Sequence, residues 1–413
     1  MKHLVAILAI AAVGCAGGPR PDTGSKKWHD LPWQQWRPLA GEWSAERDEI
    51  VGRAGGETAL LRTEDEFADF VLDLQFQATA PASGGLQFRS HWLPILPPKE
   101  GVLPEDLPRQ AYGYRAVVDT HTPVATGALI DANGEGTLAT PSPKKHGRVK
   151  PTGWNRMRVR AIGPRIEVSV NDKQVCAIDD ERMLSGFVAL HVAPFAGDEV
   201  PPTGTEMAEV RFRNIRIRDL GRAGKWRPLF NGKNLEGWRN WGDEEFVIEN
   251  GAIVGRSGPK KSEGYLCTRE SWEDFRVRGR FKMLGEGNFG LFYHSTITLR
   301  DDGYPIIAGV QGEVMPSCPG STGWHYESYK RGWLVQPDTS TVGAWALRPN
   351  QWNEIEIRSA GNHVTSWVNG IRVTDFVDDG QQLFEGGFAL QLHAGGVDGI
   401  AWKDLYVARD AEP

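Results

Sequence analysis

The chain has 413 residues, of which 40% are hydrophobic and 24% charged. These proportions exclude a disordered chain and leave room for two or three globular domains. A formal net charge of −6 gives no electrostatic case for a nucleic-acid partner.

The N-terminus reads "MKHLVAILAIAAVGCAGG". Lys2 precedes an apolar run from Leu4 to Val13 that is too short to span a bilayer. A charged start, a short apolar stretch and a small residue before the cut read as an export signal. Ala12-Val13-Gly14-Cys15 is similar to a bacterial lipobox, in which the cysteine is lipidated and becomes the first residue. The expectation is a lipoprotein signal over 1–15 and a tether over 16–27, with the chain anchored to the cell-envelope membrane through Cys15. Extended, that tether would reach about 40 Å.

Past the tether the chain repeats itself, and the period of the repeat decides the architecture. "DFVLDLQFQATAPASGGLQFRS" (69–90) aligns without a gap on "DFRVRGRFKMLGEGNFGLFYHS" (274–295). "WNRMRVRAIGPRIEVSVND" (154–172) aligns on "WNEIEIRSAGNHVTSWVNG" (352–370), and "FRNIRI" (212–217) on "WKDLYV" (402–407). "WRPL" stands at 36–39 and again at 226–229. The boundary falls near Leu220, giving a first copy over 28–220 and a second over 221–413.

Inside each copy the period is two. Phe70, Leu72, Leu74 and Phe76 alternate with Val71, Asp73, Gln75 and Gln77. Phe275, Val277, Phe281 and Met283 alternate with Arg276, Arg278, Arg280 and Lys282. This is strand periodicity with one apolar face. "VNG" at 368–370 marks a hairpin turn. With 16 Trp, 49 Gly and no long helical pattern, the chain reads as all-β, one sandwich or jelly roll per copy.

Three cysteines follow Cys15: Cys176, Cys267 and Cys318. Cys267 and Cys318 fall in one copy and could pair, but buried thiols are the simpler reading. No cysteine spacing suits a metal.

In order, the second copy carries "LFNGKNLEGW" (229–238), "FVIENGAIVG" (246–255), "GNFGLFYHS" (287–295), "GVQGEV" (309–314), "GWHYES" (323–328), "RGWL" (331–334) and "WNEIEI" (352–357). It resembles the 3-keto-disaccharide hydrolase domain family. That resemblance implies two tandem concanavalin-A-like jelly-roll sandwiches and cleavage of glycosides already oxidised at carbon 3. The first copy resembles the family more faintly, through "EWSAERDEIVGR" (42–53), and lacks the "NGKNLEGW" segment.

The candidate chemistry lies in 309–333. Gln311 and Glu313 share one side of their strand, while the first copy has Arg115 and Val117 there. Gly309 and Gly312 flank the pair, as where a ligand approaches the backbone. Phe292 and His294 are expected opposite the core side, with Gln87 and Arg89 as counterparts. "HYESYKRGW" (325–333) adds His325, Tyr326, Lys330, Arg331 and Trp333. His393 is similar to the family's histidine after the penultimate strand, whereas His191 is one residue out of step.

The implied reaction needs a base, an oxyanion partner and an acid. Glu313 is assigned as base, Arg331 or Lys330 as oxyanion partner, and His393 or His294 as acid. Gln311, His325, Tyr326 and Trp333 would hold the sugar. A divalent metal on Glu313, His294 and Gln311 is an alternative to the cation. A two-carboxylate glycosidase would need Glu327 as the second acid. The competing expectation is a carbohydrate-binding lipoprotein with no catalysis. The first copy is expected to be non-catalytic.

Overall fold

A computed structural model describes residues 25 and 27–409 apart from 79–81, 97–105, 121, 133–135, 143–148, 151–152, 196–206, 316–319 and 381–382. The expected signal segment with Cys15, the tether other than Ser25 and Lys27, and Cys318 lie outside the described residues.

The chain forms two tandem all-β sandwiches, as the repeat and its period of two predict, and among the described residues there is no α-helix. Each copy pairs an eight-stranded sheet with a seven-stranded one. In the second copy the seven-stranded sheet runs Trp238–Trp241, Gly264–Thr268, Gly387–Leu392, Phe289–Leu299, Pro305–Val314, His325–Glu327 and Gly332–Trp333. In the first it runs Trp36–Ala40, Ala59–Phe67, Gly186–Ala193, Ser83–Pro94, Arg109–Asp119, Leu129–Asp131 and Thr137–Ala139. The two orders correspond strand for strand.

The period of two explains what is buried. Phe70, Leu72, Leu74 and Phe76 line the core of the first copy, and Phe275, Val277, Phe281 and Met283 that of the second. The repeated "WN" has its own role. Asn353 donates to the carbonyls of Arg348 and Gln351, and Asn369 donates to the Asn353 side chain at 2.7 Å. Asn155 and Asn171 repeat this network. Buried amides that satisfy loop carbonyls fix where the strand starts. Cys176 and Cys267 are buried free thiols.

One irregularity recurs. A β-bulge interrupts Ser83–Pro94 after Phe88 and Phe289–Leu299 after Tyr293. Arg89 and His294 sit in these bulges with φ of 46° and 47°. On the neighbouring strand the chain passes very close. A methyl on Gly386 would lie 2.3 Å from the His294 carbonyl carbon, and one on Gly186 would lie 2.5 Å from Ser90 nitrogen. A bulge is thus specified by a partner glycine as well as by its own strand.

The copies touch through different surfaces. Met183 and Ile371 form a β-bridge, and Leu184 N–H donates to the Gly370 carbonyl at 2.7 Å. The Trp367 indole donates to the Glu181 carbonyl, and Glu181 pairs with Arg358 at 2.8 Å. Arg348 reaches back to Glu66 at 2.5 Å. Arg222, in the connection, is buried against Glu354 and lies 3.9 Å from Glu356.

Gly386→Ala should lower stability by about 1–3 kcal/mol, at the upper end because the clash is with backbone. A urea midpoint equal to that of the wild type would show that the bulge does not depend on this glycine.

Candidate active site

Glu313 lies near the end of Pro305–Val314, beside a cleft of about 650 Å³ on the face of the seven-stranded sheet turned away from the core. Its lining includes Gln311, Glu313, Tyr326, Trp333 and His393, so five of the expected residues meet there. Cross-strand register explains the first four. Gln311 stands opposite Tyr326, and Tyr326 opposite Trp333. The two rings meet edge to face at 5.3 Å. Such aromatic pairs offer a flat apolar surface beside a polar group.

Glu313 is only 2% exposed. Gln311 donates its amide to one carboxylate oxygen at 2.5 Å, while the other oxygen is buried with no partner among the described residues. Burial pushes its pKa up to about 7, against the opposing pull of donors on Gln311 and Asn288. The result is a buried carboxylate, one oxygen of which makes no hydrogen bond of good geometry among the described residues, with its pKa pushed up to about 7.

The flanking glycines have a different role from the one expected. A methyl on Gly312 would strike Ile357 of the opposite sheet at 2.7 Å, and one on Gly309 would meet Ser295 at 2.9 Å. They serve sheet packing. The glycine that shapes the cleft is Gly290, where a methyl would lie 2.7 Å from the Gln311 oxygen.

Four expected residues are placed elsewhere. His294 is turned by the bulge toward the Glu273 carbonyl, 2.8 Å away, and its ring packs on Phe275. Burial holds its pKa down. It therefore does not join Glu313 and Gln311 in a ligand set, and among the described residues no cluster of three His, Cys, Asp or Glu could hold a metal. His325 pairs with Gly312, so it faces the core, where Nδ1 lies 3.2 Å from the Tyr293 hydroxyl. Burial lowers its pKa to about 3. Arg331 is held by Glu327 and bidentately by Asp378, at 2.5 and 2.9 Å. Lys330 lies 3.8 Å from Glu327. Neither cation lines the cleft, and Glu327 is on the core side of its strand opposite Val310.

The cleft adds residues that sequence reasoning passed over: Glu263, Asn288, Tyr304, Tyr329 and Gln391. Glu263 accepts from the Gln391 amide at 2.9 Å, from the Tyr329 hydroxyl, and from Tyr304 at 3.5 Å. Its hydrogen-bonding capacity is spent on the protein. Gln391 had a sequence signal, a lone glutamine within "FALQL"; Glu263 precedes its strand and had none. His393 is exposed at the cleft, with Nδ1 2.8 Å from the Ala394 carbonyl. A proton on Nδ1 would leave Nε2 free.

The family model described as the 3-keto-alpha-glucoside-1,2-lyase-like domain matches residues 26–218 and again 225–408. No curated protein matches the chain. Among solved structures, a proposed glycosyl hydrolase from Parabacteroides distasonis ATCC 8503 is 21% identical over 45% of this chain and 100% of its own, with a TM-score of 0.33. The carbohydrate-binding module CBM66 from Bacillus subtilis is 16% identical over 45% of this chain and 96% of its own, also at 0.33. A Bacillus subtilis protein of unknown function with a galectin-like fold is 12% identical over 45% of this chain and 94% of its own, at 0.35.

Glu313 has a folded pKa of about 7 against an ordinary 4.5, so between those values the folded chain binds more protons than the unfolded one. Its contribution to stability therefore falls as pH rises through that window and stays low above it. Glu313→Gln, which cannot ionise, should melt above the wild type near pH 8, with the gain vanishing below about pH 4. Equal melting temperatures near pH 8 would show that the carboxylate carries no burial penalty.

Proposed function

Because the chain belongs to the 3-keto-alpha-glucoside-1,2-lyase-like domain family, with one match in each half, we propose that its second copy cleaves 3-keto-glycosides by elimination across carbons 1 and 2. The family ties the chain to carbohydrate chemistry. The observation that carries the finer reading is the buried Glu313 carboxylate beside an aromatic-lined cleft, with one oxygen unpartnered among the described residues and a pKa pushed up to about 7.

A ketone at carbon 3 acidifies the hydrogen at carbon 2. Glu313 takes that proton, and the electron pair of the C–H bond moves to the carbonyl oxygen as an enolate. Collapse of the enolate forms the carbon 1–carbon 2 double bond and breaks the bond from carbon 1 to the leaving oxygen. His393 at the cleft supplies the proton that the leaving oxygen needs. Water can then add to the enone to give the hydrolysed sugar. With Arg331 held in carboxylates, the donors for the enolate are the polar groups of the cleft that are not committed to Glu263, Tyr326 and Asn288. Tyr326 and Trp333 position the ring.

A two-carboxylate glycosidase is the weaker reading. Glu263 is the other carboxylate of the cleft, and both its oxygens accept hydrogen bonds from the protein. The first copy lacks the equivalent of Glu313 and is assigned a non-catalytic role. The lipobox-like segment at Cys15 supports an envelope lipoprotein.

Glu313→Gln should lower turnover of a 3-keto-disaccharide by about 10²–10⁴, with sugar binding little changed. The same loss should appear in exchange of the carbon-2 hydrogen with solvent, and the wild-type rate should rise with pH through about 7. Wild-type exchange in the variant would remove Glu313 from the role of base. Binding without turnover across a panel of 3-keto-glycosides would favour a carbohydrate-binding protein instead.

Cys15→Ser should move the protein from the membrane fraction to the soluble fraction. An unlipidated, fully soluble wild type would overturn the anchor.

A further inference from the structure

The first copy carries a polar constellation at the same place in the sheet, made of different residues. Register aligns the two without ambiguity. In the second copy Gln391, Gly290 and Glu313 lie in one cross-strand row, and Ala389, Phe292, Gln311 and Tyr326 in the next. In the first copy the rows are His191, Gly85 and Val117, then Ala189, Gln87, Arg115 and Ile130. The base is thus replaced by valine, and the two amides by arginine and histidine. The glycine is kept in the row, where a methyl on Gly85 would strike the Ala116 carbonyl at 2.3 Å and lie 3.1 Å from the Arg115 side chain.

Arg115 and His191 form a donor-only pair. The Arg115 guanidinium approaches His191 Nε2 at 2.7 Å. A guanidinium only donates, so Nε2 accepts and the ring proton sits on Nδ1. Nδ1 is buried with no partner among the described residues, in a side chain only 6% exposed. No described carboxylate pairs with Arg115, and burial alone lowers its pKa, to about 10. The same burial and the Arg115 charge keep His191 neutral. A half-buried cation with no counter-ion among the described residues, beside a buried N–H with no acceptor, is the kind of group that an accepting ligand stabilises.

We propose that this face of the first copy binds a sugar carrying a carboxylate, with Arg115 as its ion-pair partner and donor and His191 holding the guanidinium in place. A planar carboxylate matches the guanidinium fork, and accepting groups are what the pair lacks. The site would hold acidic glycan while the second copy performs its own chemistry. The sugar half of this proposal rests on the carbohydrate reading above.

The test uses the full-length protein with trigalacturonate and its fully methyl-esterified form, which differ in charge. Calorimetric titration should show the acid binding at least about tenfold tighter than the ester, with the preference shrinking as salt is raised. Arg115→Gln should abolish the preference, and Glu313→Gln should keep it. Equal binding of acid and ester overturns the proposal, as does a preference that survives Arg115→Gln or is lost in Glu313→Gln. If Arg115→Gln does not fold, acid preference and salt dependence in the wild type decide, with His191→Asn expected to weaken the acid selectively. Turnover of 3-keto-glycosides on the same sample depends on the other copy, so it separates failure of the carbohydrate reading from failure of this one.

Discussion

A strand in a two-sheet sandwich has one face that must be apolar and one that need not be, and this division underlies the rest of the molecule. Leu291, Tyr293, Val310 and Val314 belong to the core in the second copy, as Leu86, Phe88, Tyr114 and Val118 do in the first. The opposite face is under no such demand. There one copy holds Gln311 and Glu313 and the other Arg115 and Val117, with the sheet order unchanged. The sandwich supplies a rigid support on which different chemistry can be set without altering the core.

That support also accounts for the state of Glu313. Burying a carboxylate without a cation is costly, and here a single amide and a neighbouring asparagine oppose the cost only in part. Glu263, a few strands away, shows the other outcome: a carboxylate surrounded by donors and committed to holding its neighbours. Two acids in one cleft thus differ in availability through hydrogen bonding.

Much of this was legible in the sequence. Alternation gave the strands, self-alignment the two copies, and parity put Gln311 and Glu313 on one face. The failures share a cause. His294 follows the alternation on paper, but a bulge adds a residue and turns it inward, and nothing in a single strand announces a bulge whose specification includes Gly386 across the sheet. His325 was placed by its closeness in sequence to Tyr326, although neighbours on a strand face opposite ways. Arg331 looked free because its partner Asp378 is 47 residues distant in the chain. Glu263 enters the cleft from the end of a strand, where periodicity no longer applies. Local pattern reads facing; long-range pairing has to be seen.

The contact between the copies has a direction. The first copy contributes the turn containing Leu184, and the second contributes the hairpin at Asn369 and Gly370. These are different surfaces, so the pairing is heterologous and does not close on itself. Counting back from the aligned strands Gly186–Ala193 and Gly387–Leu392, the residue corresponding to Leu184 is Phe384, which is 51% exposed. In the first copy's own hairpin, at Asn171 and Asp172, Asn171 is half-buried and Asp172 exposed. The arrangement is polar, with a distinct head and tail, but the backbone positions of the joint are repeated without its side chains: Trp367 and Arg348 correspond to Ser169 and Lys150. A duplication that added a third sandwich would inherit the turn and the hairpin but would have to rebuild the side-chain contacts that lock them together.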